Sequence, residues 1–582
     1  MQPRLGAFRW YPCDRGMSGP ENPASGPKRF APAIAEFVRS PAFSYAVVFC
    51  LSLAAVVALQ LRTNAYHAEF GNDEASDYVS GLLLHDYLLS GLAPPVAFLR
   101  NFASHYPLVG IGHWGPLYYC VEAAWMLLFG CGRTAALLLA ASITACIATI
   151  CYAVAISRFG RAIAWLMAAA WIASPVAQES SSELMLDAPV ALAVLLATLA
   201  YARFLASPTA RRAVLFALVA VFAILLKGNS LCLALVPPLA VLMGRRFSLI
   251  RTPAFWLPLP IVACGVGPWY AFTWHLIEPG FRYAWGLRYT EIAAPFNAVT
   301  LVWAVGPLLL AMGLAGFVAC LARAHRPGRD EVMRCAAALV AAVVAFQCIV
   351  PAAVQDRYML PAVPPLLLLA GFSLDRAARW LRAHLLATQL RRWALAPQVL
   401  LAIACLVALA PTALPAQQKQ QFGLIAAARQ VWAALPVMNR SVLVVANGGI
   451  EPAAIAELAM NDPHRPSMFA IRGSRLLGAG GYNNSDYVPR FQTVGQVMHA
   501  IDEYRIPLVL FASNGKPTEW QHVRQVAAAA ASYPDRWQVL WRTQADGRQV
   551  ILYRIAGNAA HAAPVQRLLE LSAPHALGGH GP

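Results

Sequence analysis

Residues 43–61 read FSYAVVFCLSLAAVVALQL, a run without a single charge. A helix needs about 20 apolar residues to cross a bilayer, so this run predicts a first transmembrane span and a membrane fold. Just beyond it comes Asn72-Asp73-Glu74-Ala75-Ser76-Asp77, an acidic cluster in a chain that otherwise avoids charge. Upstream, residues 1–42 are polar, Pro/Gly-rich and mildly basic. They are expected to form a disordered cytoplasmic tail, with 43–61 as an uncleaved signal anchor.

The whole chain follows the same lead. Its 582 residues are 59% hydrophobic and 13% charged, with mean hydropathy +0.53; a soluble protein carries roughly 25% charged residues. A formal net charge of +17 would point to nucleic acid in a soluble chain. Here the arginines cluster in short connections between apolar blocks, as the positive-inside rule requires, so nucleic acid is set aside. The twelve cysteines end at Cys405 and show no CxxC spacing; inside apolar blocks they read as small hydrophobes.

Eleven spans are expected: 43–61, 134–156, 162–177, 188–206, 213–226, 229–243, 253–275, 298–321, 335–354, 358–374 and 394–414. The choice that decides sidedness is Trp114–Phe129, which is apolar but holds Glu122 and starts near Gly115-Pro116. If it lies along the outer interface, five Arg clusters fall in the cytoplasm. They are Arg158/Arg161, Arg211/Arg212, Arg245/Arg246/Arg251, Arg323/Arg326/Arg329/Arg334 and Arg376/Arg379/Arg382/Arg391/Arg392. If it spans, all five move outside. The Lys/Arg bias sets orientation, so Trp114–Phe129 is kept out of the spanning set. The outer face then collects Asp73/Glu74, the 178–187 loop, Lys227, the 278–291 loop and 355–357, and ionisable groups at span ends mark functional sites.

After residue 416 the character changes. Ser441–Ala446 and Ile506–Ala512 read as buried strands. Residues 493–504 read as a helix with Val494, Val497, Met498 and Ile501 on one face. Residues 537–542 and 549–554 read as a hairpin turning at Asp546-Gly547. The expected fold class is therefore mainly α: a polytopic transmembrane helix bundle of about eleven spans with a large first periplasmic loop and a C-terminal soluble α/β domain. The divisions are a 1–42 tail, a 43–416 transmembrane domain and a 417–582 periplasmic accessory domain.

Six short motifs occur in order: Asp73-Glu74-Ala75, His113-Trp114-Gly115-Pro116-Leu117-Tyr118-Tyr119, Leu186-Asp187-Ala188-Pro189, Lys227-Gly228, Gly267-Pro268-Trp269-Tyr270 and Asp356-Arg357-Tyr358-Met359-Leu360-Pro361. In order and sidedness they resemble membrane glycosyltransferases of the protein O-mannosyltransferase and lipid A aminoarabinose transferase type, over about the first 370 residues. Eleven spans counted from a cytoplasmic N-terminus leave the C-terminus outside, and the resemblance implies a multi-pass protein of a bacterial-type inner membrane. It implies inverting transfer of a sugar from a polyprenyl-monophosphate donor to a hydroxyl on a lipid, glycan or protein acceptor.

Such chemistry needs a carboxylate to take the acceptor proton, for which Asp73 is the candidate, with Glu74 positioning it or tuning it by like charge. It also needs fixed positive charge for the leaving phosphate. Arg357 offers a fork and Lys227 a point charge. Asp187 in the resembled family lines the donor site; alone it also suits a helix N-terminus. Tyr358 and His113 complete the expected substrate-binding set. His113 and His85 with Asp73 or Glu74 could hold a divalent cation, and metal use stays open. Two departures stand out: where many relatives start the second motif Lys-Pro-Pro or His-Pro-Pro, His113-Trp114-Gly115-Pro116 stands here, so a phosphate-binding lysine is absent, and no shared feature is matched for the C-terminal domain. A flippase for a lipid-linked sugar or a polysaccharide polymerase or ligase is the alternative; no internal repeat of the transporter kind is visible.

Overall fold

The computed structural model describes residues 40–281, 283, 285–322, 331–385, 396–413, 418–480, 487–558, 562 and 564–569. The tail through residue 39 and Arg323, Arg326, Arg329, Arg391 and Arg392 lie outside the described residues. The chain divides into Met1–Val47 and Val48–Pro582, and the site lies wholly in the second unit.

The structure is a helix bundle with a C-terminal sheet. Among the described residues, seven helices are long and apolar enough to cross a membrane: Pro41–Arg62 (α1), Arg133–Phe159, Asp187–Ala206, Pro253–Gly280, Leu287–Ala322, Glu331–Ile349 and Asp356–Ala383. The other expected spans also form helices, but shorter ones. Ser174-Pro175 divides the expected 162–177 span into Arg161–Ala173 and Pro175–Ser182. The break at Lys227-Gly228 ends Ala210–Leu226 and gives way to a 3-10 turn over Gly228–Leu235. The helix expected from Ala298 begins at Leu287, and Gly306 interrupts it at φ 73°, a left-handed conformation that glycine adopts without Cβ strain.

Between α1 and Arg133–Phe159 lie three helices: Asn72–Leu89 (α2), Pro95–His105 (α3) and Leu117–Phe129 (α4). At 13 residues, α4 reaches only about 20 Å, short of a hydrocarbon core of about 30 Å. It packs along α2.

Asp187–Ala206 (α5) and Ala210–Leu226 (α6) form an antiparallel pair. The pair places Asp187 and Lys227 at one end, with Arg203, Arg211 and Arg212 at the other. At that second end Arg246 donates to the Leu205 carbonyl and lies 3.2 Å from Glu331, which Arg334 meets at 2.6 Å. The arginine-rich connections thus gather away from the acidic cluster.

The C-terminal region holds a five-stranded sheet. Its strands are Ser441–Val445 (β1), Phe469–Arg472 (β2), Leu508–Ser513 (β3), Trp537–Ala545 (β4) and Arg548–Ile555 (β5), in the order β2-β1-β3-β5-β4. β1 runs parallel to β2 and β3, while β5 runs antiparallel to β3 and β4. Every residue of β1 is buried, as a strand covered on both faces must be. Thr493 caps the helix Val494–Glu503 through Gln496, and Val497, Met498 and Ile501 face the sheet core.

This region shares a core with the first loop. Phe70, Tyr78 and Leu82 pack in one apolar cluster with Val442, Ile455 and Leu458. Polar ties reinforce it: Tyr106 donates to Asp462 at 2.6 Å, Arg465 lies 2.9 Å from Asp86, and Arg133 pairs with Glu457.

Candidate active site

Four charges of alternating sign form a chain at the end of the bundle opposite the arginine-rich connections. Asp73 sits in the first turn of α2 with its side chain 52% exposed, and Arg357 Nη2 donates to its Oδ2 at 2.7 Å. Arg357 Nε donates to Gln355 Oε1 at 2.7 Å and stands 3.8 Å from Asp187 Oδ2. Lys227 Nζ then donates to both Asp187 oxygens, at 2.9 and 3.1 Å.

The last two charges are shut away, each side chain only 4% exposed. The Lys227 ammonium lies 4.9 Å from the ring centres of both Trp114 and Tyr358, within cation–π range. Gly115 makes this possible: a Cβ there would collide with the Leu225 carbonyl. Only a glycine lets the His113–Pro116 loop approach the end of α6 so closely and lay Trp114 over Lys227.

Asp73 and Arg357 border a cavity of about 840 Å3, whose wall also includes Glu74, His113 and Tyr358. Asp187 and Lys227 stand behind that wall. His113 Nδ1 lies 2.9 Å from the Leu276 carbonyl, turning it toward the Glu278–Gly280 connection. His85 is elsewhere, beside Asp86 and Cys131. Among the described residues no group of three His, Cys, Asp or Glu side chains is placed to hold a metal ion, so the His85–His113 arrangement does not form.

Glu74 is held by a different set of partners from Asp73. Its Oε2 accepts from the Gly71 N–H at 2.7 Å, one half of a capping box, and its Oε1 accepts from Leu184 N–H at 2.9 Å and Lys419 Nζ at 2.7 Å. With every strong contact accounted for and its side chain buried, it is an anchor for the turn that carries Asp73.

Sequence reasoning passed over several neighbours. Glu183 and Glu179 line the same cavity; burial, then the nearby Glu74 charge, pushes Glu183 up to about 8. One turn beyond Asp73, Asp77 accepts from the Tyr119 hydroxyl at 3.0 Å. Burial, then the Asp73 charge, holds it well above the usual carboxylate range. Glu122 on α4 is fully buried, and neither oxygen has a hydrogen-bond partner among the described residues. Burial likewise favours its neutral form. The polar run 178–183 could have signalled the first pair; nothing local announces that Glu122 turns inward.

No family model and no curated protein matches the sequence. Solved structures do. ArnT from Cupriavidus metallidurans in the apo state matches with a TM-score of 0.54 and 16% identity, over 90% of this chain and all of that one. The same protein bound to undecaprenyl phosphate matches with a TM-score of 0.53 and 15% identity, over 88% of this chain and 99% of that one. The fold is that of ArnT. ArnT is a lipid A aminoarabinose transferase, so the resemblance drawn from the six motifs holds at the level of architecture. The ArnT likeness also covers more of the chain than residues 1–416 provide. Part of the C-terminal region therefore falls within the ArnT-like fold, although no motif there was matched from the sequence.

Proposed function

We propose that this chain transfers a sugar, with inversion, from a polyprenyl-phosphate donor to a hydroxyl acceptor at the outer face of an inner membrane. The observation that carries the reading is the Asp73–Arg357 pair on the wall of one cavity. A half-exposed carboxylate and a guanidinium fork there can serve the two ends of one displacement. The ArnT structure bound to undecaprenyl phosphate supports a lipid phosphate as the occupant.

In this scheme the donor phosphate competes with Asp73 for Arg357, whose fork suits phosphate oxygens. The freed carboxylate takes the proton of the acceptor hydroxyl. The acceptor oxygen bonds to the anomeric carbon from the face opposite the phosphate, and the carbon–oxygen bond to phosphate breaks. The electron pair leaves on the phosphate oxygen, where Arg357 stabilises the growing charge. Lys227, enclosed by Trp114 and Tyr358, acts by holding Asp187, which in turn steadies Arg357. Glu74 fixes the backbone beneath Asp73, and His113 and Tyr358 shape the cavity wall.

Orientation follows from charge. The arginine-rich end belongs in the cytoplasm, which puts the cavity and the C-terminal region outside. Purified protein in vesicles should release undecaprenyl phosphate from at least one undecaprenyl-phosphate-linked sugar when acceptor glycolipids, glycans or peptides are supplied. Mass spectrometry follows both products. Transbilayer movement of the donor without cleavage would instead support the flippase alternative and sink this reading.

A further inference from the structure

The first residues of the C-terminal region run directly beneath the acidic turn. The Lys419 N–H donates to the Thr63 carbonyl at 2.9 Å. Glu69 accepts from the N–H groups of Phe422, Leu424 and Ile425, at 2.8, 2.6 and 3.2 Å. This anchors the start of the helix Leu424–Ala434, where exposed N–H groups favour a carboxylate. The segment 419–425 is thus sewn to residues 63–74. Lys419 is one of only four lysines in the chain. Its ammonium reaches Glu74 Oε1 at 2.7 Å in a largely buried pair, with side chains 16% and 5% exposed.

We infer that Lys419 is a positioning residue for Asp73, and that through it the C-terminal region is a working part of the active site. The inference rests on the function proposed above. Glu74 joins three segments: the start of α2 through Gly71, the strap leading to Asp187 through Leu184, and the C-terminal region through Lys419. Asp73 and Asp187 flank Arg357 from two of these segments. Without the ammonium, Glu74 is a buried carboxylate missing the one charged partner it has among the described residues, which favours protonation or reorientation. Either change loosens Gly71 and Leu184 together. Small displacements of a reacting group cost large factors in rate, while cavity contacts to the donor would survive.

The test compares the full chain with Lys419→Ala and Lys419→Arg. In Lys419→Ala, kcat should fall at least about tenfold with donor KM within about twofold of wild type, since geometry rather than uniform binding is lost. Lys419→Arg should recover most of the rate. Hydrogen exchange in peptides covering 70–76 and 183–187 should quicken by about tenfold in Lys419→Ala and not in Lys419→Arg. If Lys419→Ala cannot be obtained folded, Lys419→Met, which keeps the apolar stem, is judged on the same readouts. Wild-type kcat or unchanged exchange in the neutral variant overturns the inference. If the wild-type chain transfers no sugar, the functional reading falls by itself, and the exchange comparison still decides whether Lys419 holds the turn.

Discussion

Arg357 donates to Asp73 across 284 positions of sequence, at 2.7 Å. The pair joins the first turn of α2 to the start of the helix Asp356–Ala383, just beyond the short connection from Glu331–Ile349. On the proposed mechanism it is also an exchange point, because the arginine passes from carboxylate to phosphate as the donor enters.

That exchange makes Arg357 a donor-recognition group. Arg357→Ala should raise the donor KM at least about tenfold, in line with about 1.5–3 kcal/mol for a hydrogen bond to a charged group. The acceptor KM should stay unchanged. Arg357→Lys should recover only part, since an ammonium lacks the planar fork. Rates against donor concentration for the three proteins check this; equal dependence would remove the phosphate contact.

The buried Lys227–Asp187 pair predicts a stability effect before a kinetic one. Lys227→Met leaves Asp187 buried without its close counter-charge, a change costing about 3–5 kcal/mol. The double variant Lys227→Met/Asp187→Asn should restore part of that loss. Thermal melts in detergent, arranged as a double-mutant cycle, check it. Additive losses would mean that the two side chains do not support one another.

Glu183 predicts a pH effect. Its carboxyl is pushed up to about 8 by burial, then by Glu74, with Glu179 adding to the rise and Lys419 and Arg357 opposing it. The folded protein therefore favours the protonated form. That contribution is complete below the unfolded carboxylate value and fades as pH rises through the folded one. Between about pH 5 and 9, Glu183→Gln should flatten the fall of melting temperature with pH. Parallel curves for variant and wild type would contradict it.

Much of the architecture was legible because its signals are local. Apolar runs marked the helices, arginine clusters separated the two ends, and the runs 441–446 and 506–512 foretold β1 and β3. The same sidedness groups Asp73, Asp187, Lys227 and Arg357 on one face, and their side chains meet there. What escaped depends on long-range packing. β2 has four residues, too few for a periodic signal. The burial of Lys227 depends on Gly115 admitting Trp114, and the Glu74–Lys419 pair spans 345 positions. The shared core of α2 and the sheet was hidden because each partner reads as apolar by itself.

Asp73→Asn tests the central claim most directly. The variant keeps the size and most contacts of the side chain but cannot accept the acceptor's proton at neutral pH. Single-turnover release of undecaprenyl phosphate from a loaded donor should slow by about 10²–10⁴-fold, the usual worth of a general base, with the melting temperature little changed. Release at the wild-type rate would contradict the account.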